Sequence, residues 1–273
     1  YNILNLLIYP IEMIIKFYLL LFLKKRDRFI ILVIGNYASS TTLWLQILTT
    51  LFKLNYINNI SSKFFKCILF GQVVNKVLNL INIKLNSNFY SHDGVTKGLM
   101  EPNEFGWYWR KFFTKEPTNK RISEFKKNIG LFTSFSNMTF LFKYSMTPDI
   151  NTLKKNYKYF SSIKKKLIII YPYRKKKLVI NSILNRKKKL KEFSSTYNFK
   201  RIGSLKNSVE KQVQRIYDEH NEFLSKFNKK HILYINFERF KKNKNIELIK
   251  IIKFFNKFDI SMNEALYIKR NLK

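Results

Sequence analysis

Residues 29–42 read Phe29-Ile-Ile-Leu-Val-Ile-Gly-Asn-Tyr-Ala-Ser-Ser-Thr-Thr42, and the fold is decided here. Phe29 to Ile34 is a continuous apolar run rich in branched side chains, with charge before it and Gly35 after it. A strand with one wet face alternates in polarity. An unbroken run predicts a strand covered on both faces, as in a parallel sheet. Ser39 to Lys53 then predicts a helix, with Ser39 or Ser40 as N-cap and Leu43, Ile47, Leu48 and Leu51 on one face. A strand, a tight turn and a helix that opens on hydroxyl residues make an anion site, because the free N–H groups of the first turn and the helix dipole both favour a phosphate there.

Outward from this unit the same grammar repeats. Thr139 to Lys143 and Leu167 to Tyr171 predict two more buried strands, and Leu178 to Lys187 the helix after the second. Asn207 to Phe227 predicts a long polar helix with Val209, Val213, Ile216 and Tyr217 at helical spacing. His231 to Phe237 predicts a fourth strand, and Ile246 to Phe258 a closing helix with Ile246, Ile249, Ile252 and Phe255 as its apolar face. Strands alternating with helices predict an α/β fold with a mainly parallel central sheet flanked by helices, whose ligands sit at the carboxyl ends of the strands. The chain divides into an apolar N-terminal helix (1–27), one domain (28–258) and a tail (259–273).

Three motifs carry a family resemblance. Gly35-Asn36-Tyr37-Ala38-Ser39-Ser40-Thr41-Thr42 resembles the 5′-phosphosulfate loop of sulfotransferases, Gly-x-Pro-(Arg/Lys)-Ser-Gly-Thr-Thr, and matches it at Gly35, Ser39, Thr41 and Thr42. Arg174 follows the third strand, and Ser182 lies eight residues on, the order in which such enzymes hold a 3′-phosphate. Glu101-Pro102-Asn103-Glu104-Phe105-Gly106-Trp107-Tyr108-Trp109 looks like the Pro-x-Glu-Phe-Gly-x-x-Trp signature of a bacterial-type subgroup. An aromatic cluster that only packs the domain is the other reading of this segment. The resemblance implies a P-loop-NTPase-like sulfotransferase fold and the co-substrate 3′-phosphoadenosine 5′-phosphosulfate. It implies donor contacts from Gly35, Ser39, Ser40, Thr41, Thr42, Arg174 and Ser182, and transfer to a hydroxyl or amine of a glycan, lipid or small metabolite. Glu104 is the first candidate for the base, His92 the second, and Lys143 the cation at the loop.

The departures also fall in the loop. Ala38 stands where the family carries Arg or Lys, Tyr37 replaces Pro, and Ser40 replaces Gly. Lys143, at the end of its strand, is the candidate to supply the missing charge. The alternatives are a degenerate homologue that binds nucleotide without turnover, and a basic protein that binds nucleic acid or a membrane surface. No Gly-Lys-(Ser/Thr) closes the loop, which sets a P-loop kinase aside.

Composition narrows the rest. The 273 residues carry a net charge of +35. Lys, Asn, Ile, Phe and Tyr are abundant together while Gly and Pro are scarce, a bias that accounts for the charge without a specific nucleic-acid partner. Cys67 is the lone cysteine, so no intrachain disulfide forms, and three histidines without a Cys/His cluster argue against a structural zinc site. Ile3 to Leu23 is long enough to span a bilayer. Pro10, Glu12 and Lys16 within it point instead to an amphipathic helix, packed on the domain or in peripheral contact with a membrane. The expected compartment is cytoplasmic, with membrane association as the alternative.

Overall fold

The computed structural model describes residues 2–22, 28–35, 39–64, 67–81, 89, 91–92, 95–136, 138–144, 152–190 and 204–263. Five strands form one all-parallel sheet: β1 (Ile30–Val33), β2 (Asn55–Tyr56), β5 (Phe140–Lys143), β6 (Leu167–Tyr173) and β7 (Ile232–Asn236). Their order is β2-β5-β1-β6-β7. The run read first is therefore the central strand, with Ile30 beside both Phe140 and Leu167. A separate two-stranded hairpin pairs β3 (Ser91–His92) with β4 (Val95–Thr96).

The apolar run divides by period two between two cores, the geometry that pleating imposes. Ile30, Leu32 and Ile34 face one side with Phe140, Phe142, Leu167, Ile169 and Tyr171. Helices α1 (Asn2–Phe22), α5 (Gly106–Phe113), α6 (Asn119–Ser136), α7 (Thr152–Ser161) and α9 (Leu205–Ser225) contribute to that core. Ile31 and Val33 face the other side with Leu141, Ile168 and Ile170, under α2 (Thr41–Leu51), α10 (Phe237–Lys242) and α11 (Lys244–Asn256). The helix α8 (Lys176–Leu190) packs Val179 and Ile183 on Val209, Val213 and Tyr217 of α9. Between β2 and the hairpin lie α3 (Asn59–Lys63) and α4 (Ile68–Leu80).

Several expectations change at their edges. The closing helix uses a different face: Leu248, Ile251 and Phe255 are buried, whereas Ile246 and Ile249 are exposed. Apolar residues are so dense in this helix that two stripes satisfy helical spacing, and contact with the sheet chooses between them. The last strand stops at Asn236, whose side chain accepts from Arg239 N at 2.9 Å and caps α10, so Phe237 opens a helix instead of ending a strand. The body of the domain also continues past Phe258. Ile260 is buried, and the Asn263 amide donates to the carbonyls of Thr50 (2.8 Å) and Phe52 (3.1 Å), closing the end of α2. Orphan carbonyls at a helix C-terminus need such donors.

Candidate functional site

The site forms at the carboxyl ends of β1, β5 and β6. Ile34 N donates to Ile170 O at 3.1 Å, which carries the ladder to the edge of the turn. A Cβ placed on Gly35 would lie 2.6 Å from Ser39 Oγ, 2.8 Å from Pro172 O and 2.9 Å from Thr41 Cγ2. Only glycine fits there, because the turn folds its own hydroxyl residues back onto this residue and presses it against β6. Pro172 stands two residues before Arg174, so the anion turn and Arg174 leave neighbouring strands at the same edge of the sheet.

Ser39 is fully buried, and Ser40 occupies the N-cap position of α2 with φ 63°. The expected cap bond is absent: the Ser40 side chain makes no capping hydrogen bond. Its carbonyl opens the helix by accepting from Trp44 N at 3.1 Å. The left-handed backbone explains the glycine that sulfotransferase loops carry here, since L-residues pay a steric cost in that region. Tyr37 and Ala38 lie outside the described residues.

Three side chains from distant parts of the chain meet at the first turn of α2. Lys143, the last residue of β5, donates to Thr42 Oγ1 at 3.0 Å and forms an ion pair with Glu104 Oε1. Thr42 Oγ1 also donates to Glu104 Oε1 at 2.9 Å. Lys143 is buried, and desolvation pulls its ammonium below the usual lysine range, while the Glu104 charge and hydrogen bond oppose that shift. Glu104 is held by the stretch around it. Asn103 N donates to Ile57 O at 2.8 Å, the Asn103 amide to Asn59 Oδ1 at 2.7 Å, and Phe105 N to Asn103 Oδ1 at 2.7 Å. Phe105 then caps α5 with φ 51°.

The aromatics of this motif pack. Phe105 stacks on Tyr108 at 4.9 Å, and Trp109 is buried 4.8 Å from the ring of Phe142 in β5. They brace the strand that ends in Lys143, so the segment positions Glu104 and Lys143 and leaves Tyr108 and Trp109 inside the core. The Trp107 side chain lies outside the described residues.

Arg174 is half-buried. Its Nε donates to Glu238 Oε1 at 3.0 Å, and its guanidinium lies 5.1 Å from the Phe237 ring centre. The Tyr217 hydroxyl donates to the Arg174 carbonyl. Ser182 is half-buried on α8, and among the described residues no hydrogen bond links it to Arg174 or to the Ser39–Thr42 turn. His92 pairs through its backbone with Val95 in the hairpin, and its side chain lies outside the described residues.

Sequence reasoning missed two supports. Glu238, the partner of Arg174, lies sixty-four positions further along the chain and carries no local signal of that role. Glu101 is buried and accepts from Gln46 Nε2 of α2 at 2.9 Å, tying the signature segment to the helix of the anion turn. A carboxylate three residues before Glu104 was the only signal for it. Among the described residues, no group of His, Cys, Asp and Glu could hold a metal ion.

No protein-family model and no curated protein matches this chain. Solved structures do. The fold is similar to that of the sulfotransferase STF1 from Mycobacterium tuberculosis H37Rv, with a TM-score of 0.53 and 8% identity over 88% of this chain and 70% of that one. It is also similar to the sulfotransferase STF9 from Mycobacterium avium, with a TM-score of 0.51 and 11% identity over 85% of this chain and 64% of that one. At such identities the likeness shows the fold, and the fold is that of bacterial-type sulfotransferases.

Proposed function

We propose that this chain is a sulfotransferase that takes 3′-phosphoadenosine 5′-phosphosulfate as donor and transfers its sulfuryl group to a hydroxyl or amine. The observation that carries this is the Thr42–Lys143–Glu104 triangle at the amino end of α2. A buried cation, a hydroxyl and a carboxylate converge where the helix already favours an anion.

The residues fit the donor. The turn that admits only Gly35 leads straight into α2, whose first-turn N–H groups at Thr41 and Thr42 are the candidates for the 5′-phosphate. Arg174 and Ser182 are the candidates for the 3′-phosphate, with Arg174 held ready by Glu238. Lys143 stands in for the basic residue that Ala38 lacks. In the free protein Glu104 neutralises Lys143. An anion on the turn competes for the ammonium, leaving Lys143 to stabilise charge on the leaving phosphate and Glu104 to act as base. The acceptor oxygen or nitrogen attacks sulfur, its proton goes to Glu104, the bond from sulfur to the phosphate oxygen breaks, and adenosine 3′,5′-bisphosphate leaves. We place the reaction in the cytoplasm, where the donor is made.

Thermal melts with nucleotides test the reading. Adenosine 3′,5′-bisphosphate should raise the melting temperature well above adenosine 5′-phosphate, and Arg174→Ala should erase the difference. Lys143→Met should lower transfer of labelled sulfate by about a hundred- to a thousandfold, the usual loss for one anion-stabilising group. No stabilisation by the bisphosphate would overturn the assignment. Ala38 and the strained Ser40 favour one second reading, a homologue that binds without turnover. Bisphosphate protection with no transfer to any acceptor pool would select it.

A further inference from the structure

The first helix presents its apolar side to solvent. Ile3, Leu6, Leu7, Ile14, Phe17 and Leu21 of α1 are between 58% and 76% exposed. At 3.6 residues per turn, Ile3, Leu7, Ile14 and Leu21 form one stripe along the whole helix. Its two charged residues face the protein. Glu12 is fully buried and accepts from Leu69 N at 3.3 Å and Phe70 N at 2.8 Å, the opening turn of α4, while Lys16 pairs with it at 3.3 Å. A surface helix of a water-soluble domain is arranged the other way round. The Glu12 cap fixes the orientation, because rotating the stripe inward would strip α4 of an acceptor for its orphan N–H groups.

A cavity of about 1020 Å³ adjoins the far end of this helix. Leu19, Arg28, Lys126, Lys127, Lys164 and Lys166 line it, and among the described residues no Asp or Glu does. It also reaches Ile30, the first residue of β1, so it lies at the amino ends of the strands, across the sheet from the anion turn. The donor site does not account for it.

The cavity meets α1 at Leu19, on the buried side of the helix across from the stripe, while the lysines around it are exposed. A second copy on the stripe would bring together two bodies of net charge +35, which repel. A surface of anionic lipid complements both features, since acyl chains take the stripe and phosphate headgroups meet the lysines. Among the described residues no helix is long and apolar enough to cross a membrane. We propose that the stripe of α1 docks the protein on an anionic membrane, with the helix lying in the plane of the interface and the exposed lysines beside the cavity reaching the headgroups. This inference is independent of the sulfuryl-transfer reading.

Cosedimentation of the full chain with phosphatidylcholine vesicles, with and without phosphatidylserine, tests it. Binding should require phosphatidylserine and weaken with salt. Ile14→Glu with Phe17→Glu should weaken binding by about tenfold or more, as burial of apolar area sets the strength of such docking. Ile246→Glu with Ile249→Glu makes the same charge change at exposed apolar positions of α11 and should leave binding within about twofold. Lys126→Glu with Lys127→Glu should weaken the preference for phosphatidylserine by about tenfold or more. Hydrogen exchange on the unmodified chain gives a readout free of any folding defect: vesicles should protect α1 more than α11. Equal losses from the two glutamate pairs would show that charge alone was read, and would overturn the proposal. So would a lipid-free dimer lost in the α1 variant, or vesicle binding indifferent to phosphatidylserine.

Discussion

Ser40 shows what a single departure from a loop pattern costs. Its positive φ is a conformation that glycine adopts freely and serine does not. Ser40→Gly should therefore stabilise the fold by about 1 kcal/mol, measured as a shift in denaturant midpoint at unchanged slope. An unchanged midpoint would mean that the turn gains from the serine side chain as much as it loses in strain. His220 is the second residue with a measurable signature. It is buried against Tyr171, its Nδ1 lying 3.3 Å from the tyrosine hydroxyl, and burial pushes its imidazole down to about 4. A histidine depressed on folding contributes stability above its unfolded value, near 6.5. That contribution is lost as pH falls from there through about 4, because the unfolded chain binds the proton first. It amounts to roughly 3 kcal/mol at most. His220→Gln should flatten the pH dependence of unfolding free energy in that window by about one proton, and an unaltered slope would assign the dependence to the carboxylates.

The elements were legible in proportion to how apolar and continuous they are. β1, β5, β6 and β7 stand out because a parallel sheet buries both faces and leaves no polar alternation to blur the run. The stretch between α2 and β5 was not read as α3 to α6, because its helices carry shorter, mixed stripes and β2 is two residues long. Within the site, Gly35 and Lys143 were legible because a glycine after a strand and a charge at the end of one are local signals. The Thr42–Glu104 and Arg174–Glu238 bonds were not, since each joins residues more than sixty positions apart. The aromatic motif illustrates the limit. Its composition marks it as special, but only the packing of Trp109 on Phe142 shows that it braces β5.

The whole molecule carries +35 charges on 273 residues, and that repulsion opposes compactness. Raising ionic strength from about 0.01 M to about 0.15 M shortens the screening length from about 30 Å to about 8 Å. The melting temperature of the free protein should rise over that range, and a flat or falling profile would mean that the unpaired cations lie too far apart for their repulsion to weigh on folding. The sheet order has a further consequence, for synthesis. β1 is made early, yet both of its neighbours are made late: Ile30 waits for Phe140 and then for Leu167. At ribosomal speeds of about 5–20 residues per second, the nascent Phe29–Ile34 segment stays without a partner for on the order of ten seconds. The most water-averse hexapeptide of the domain is thus the one that a cell must shield longest while the chain is still being made.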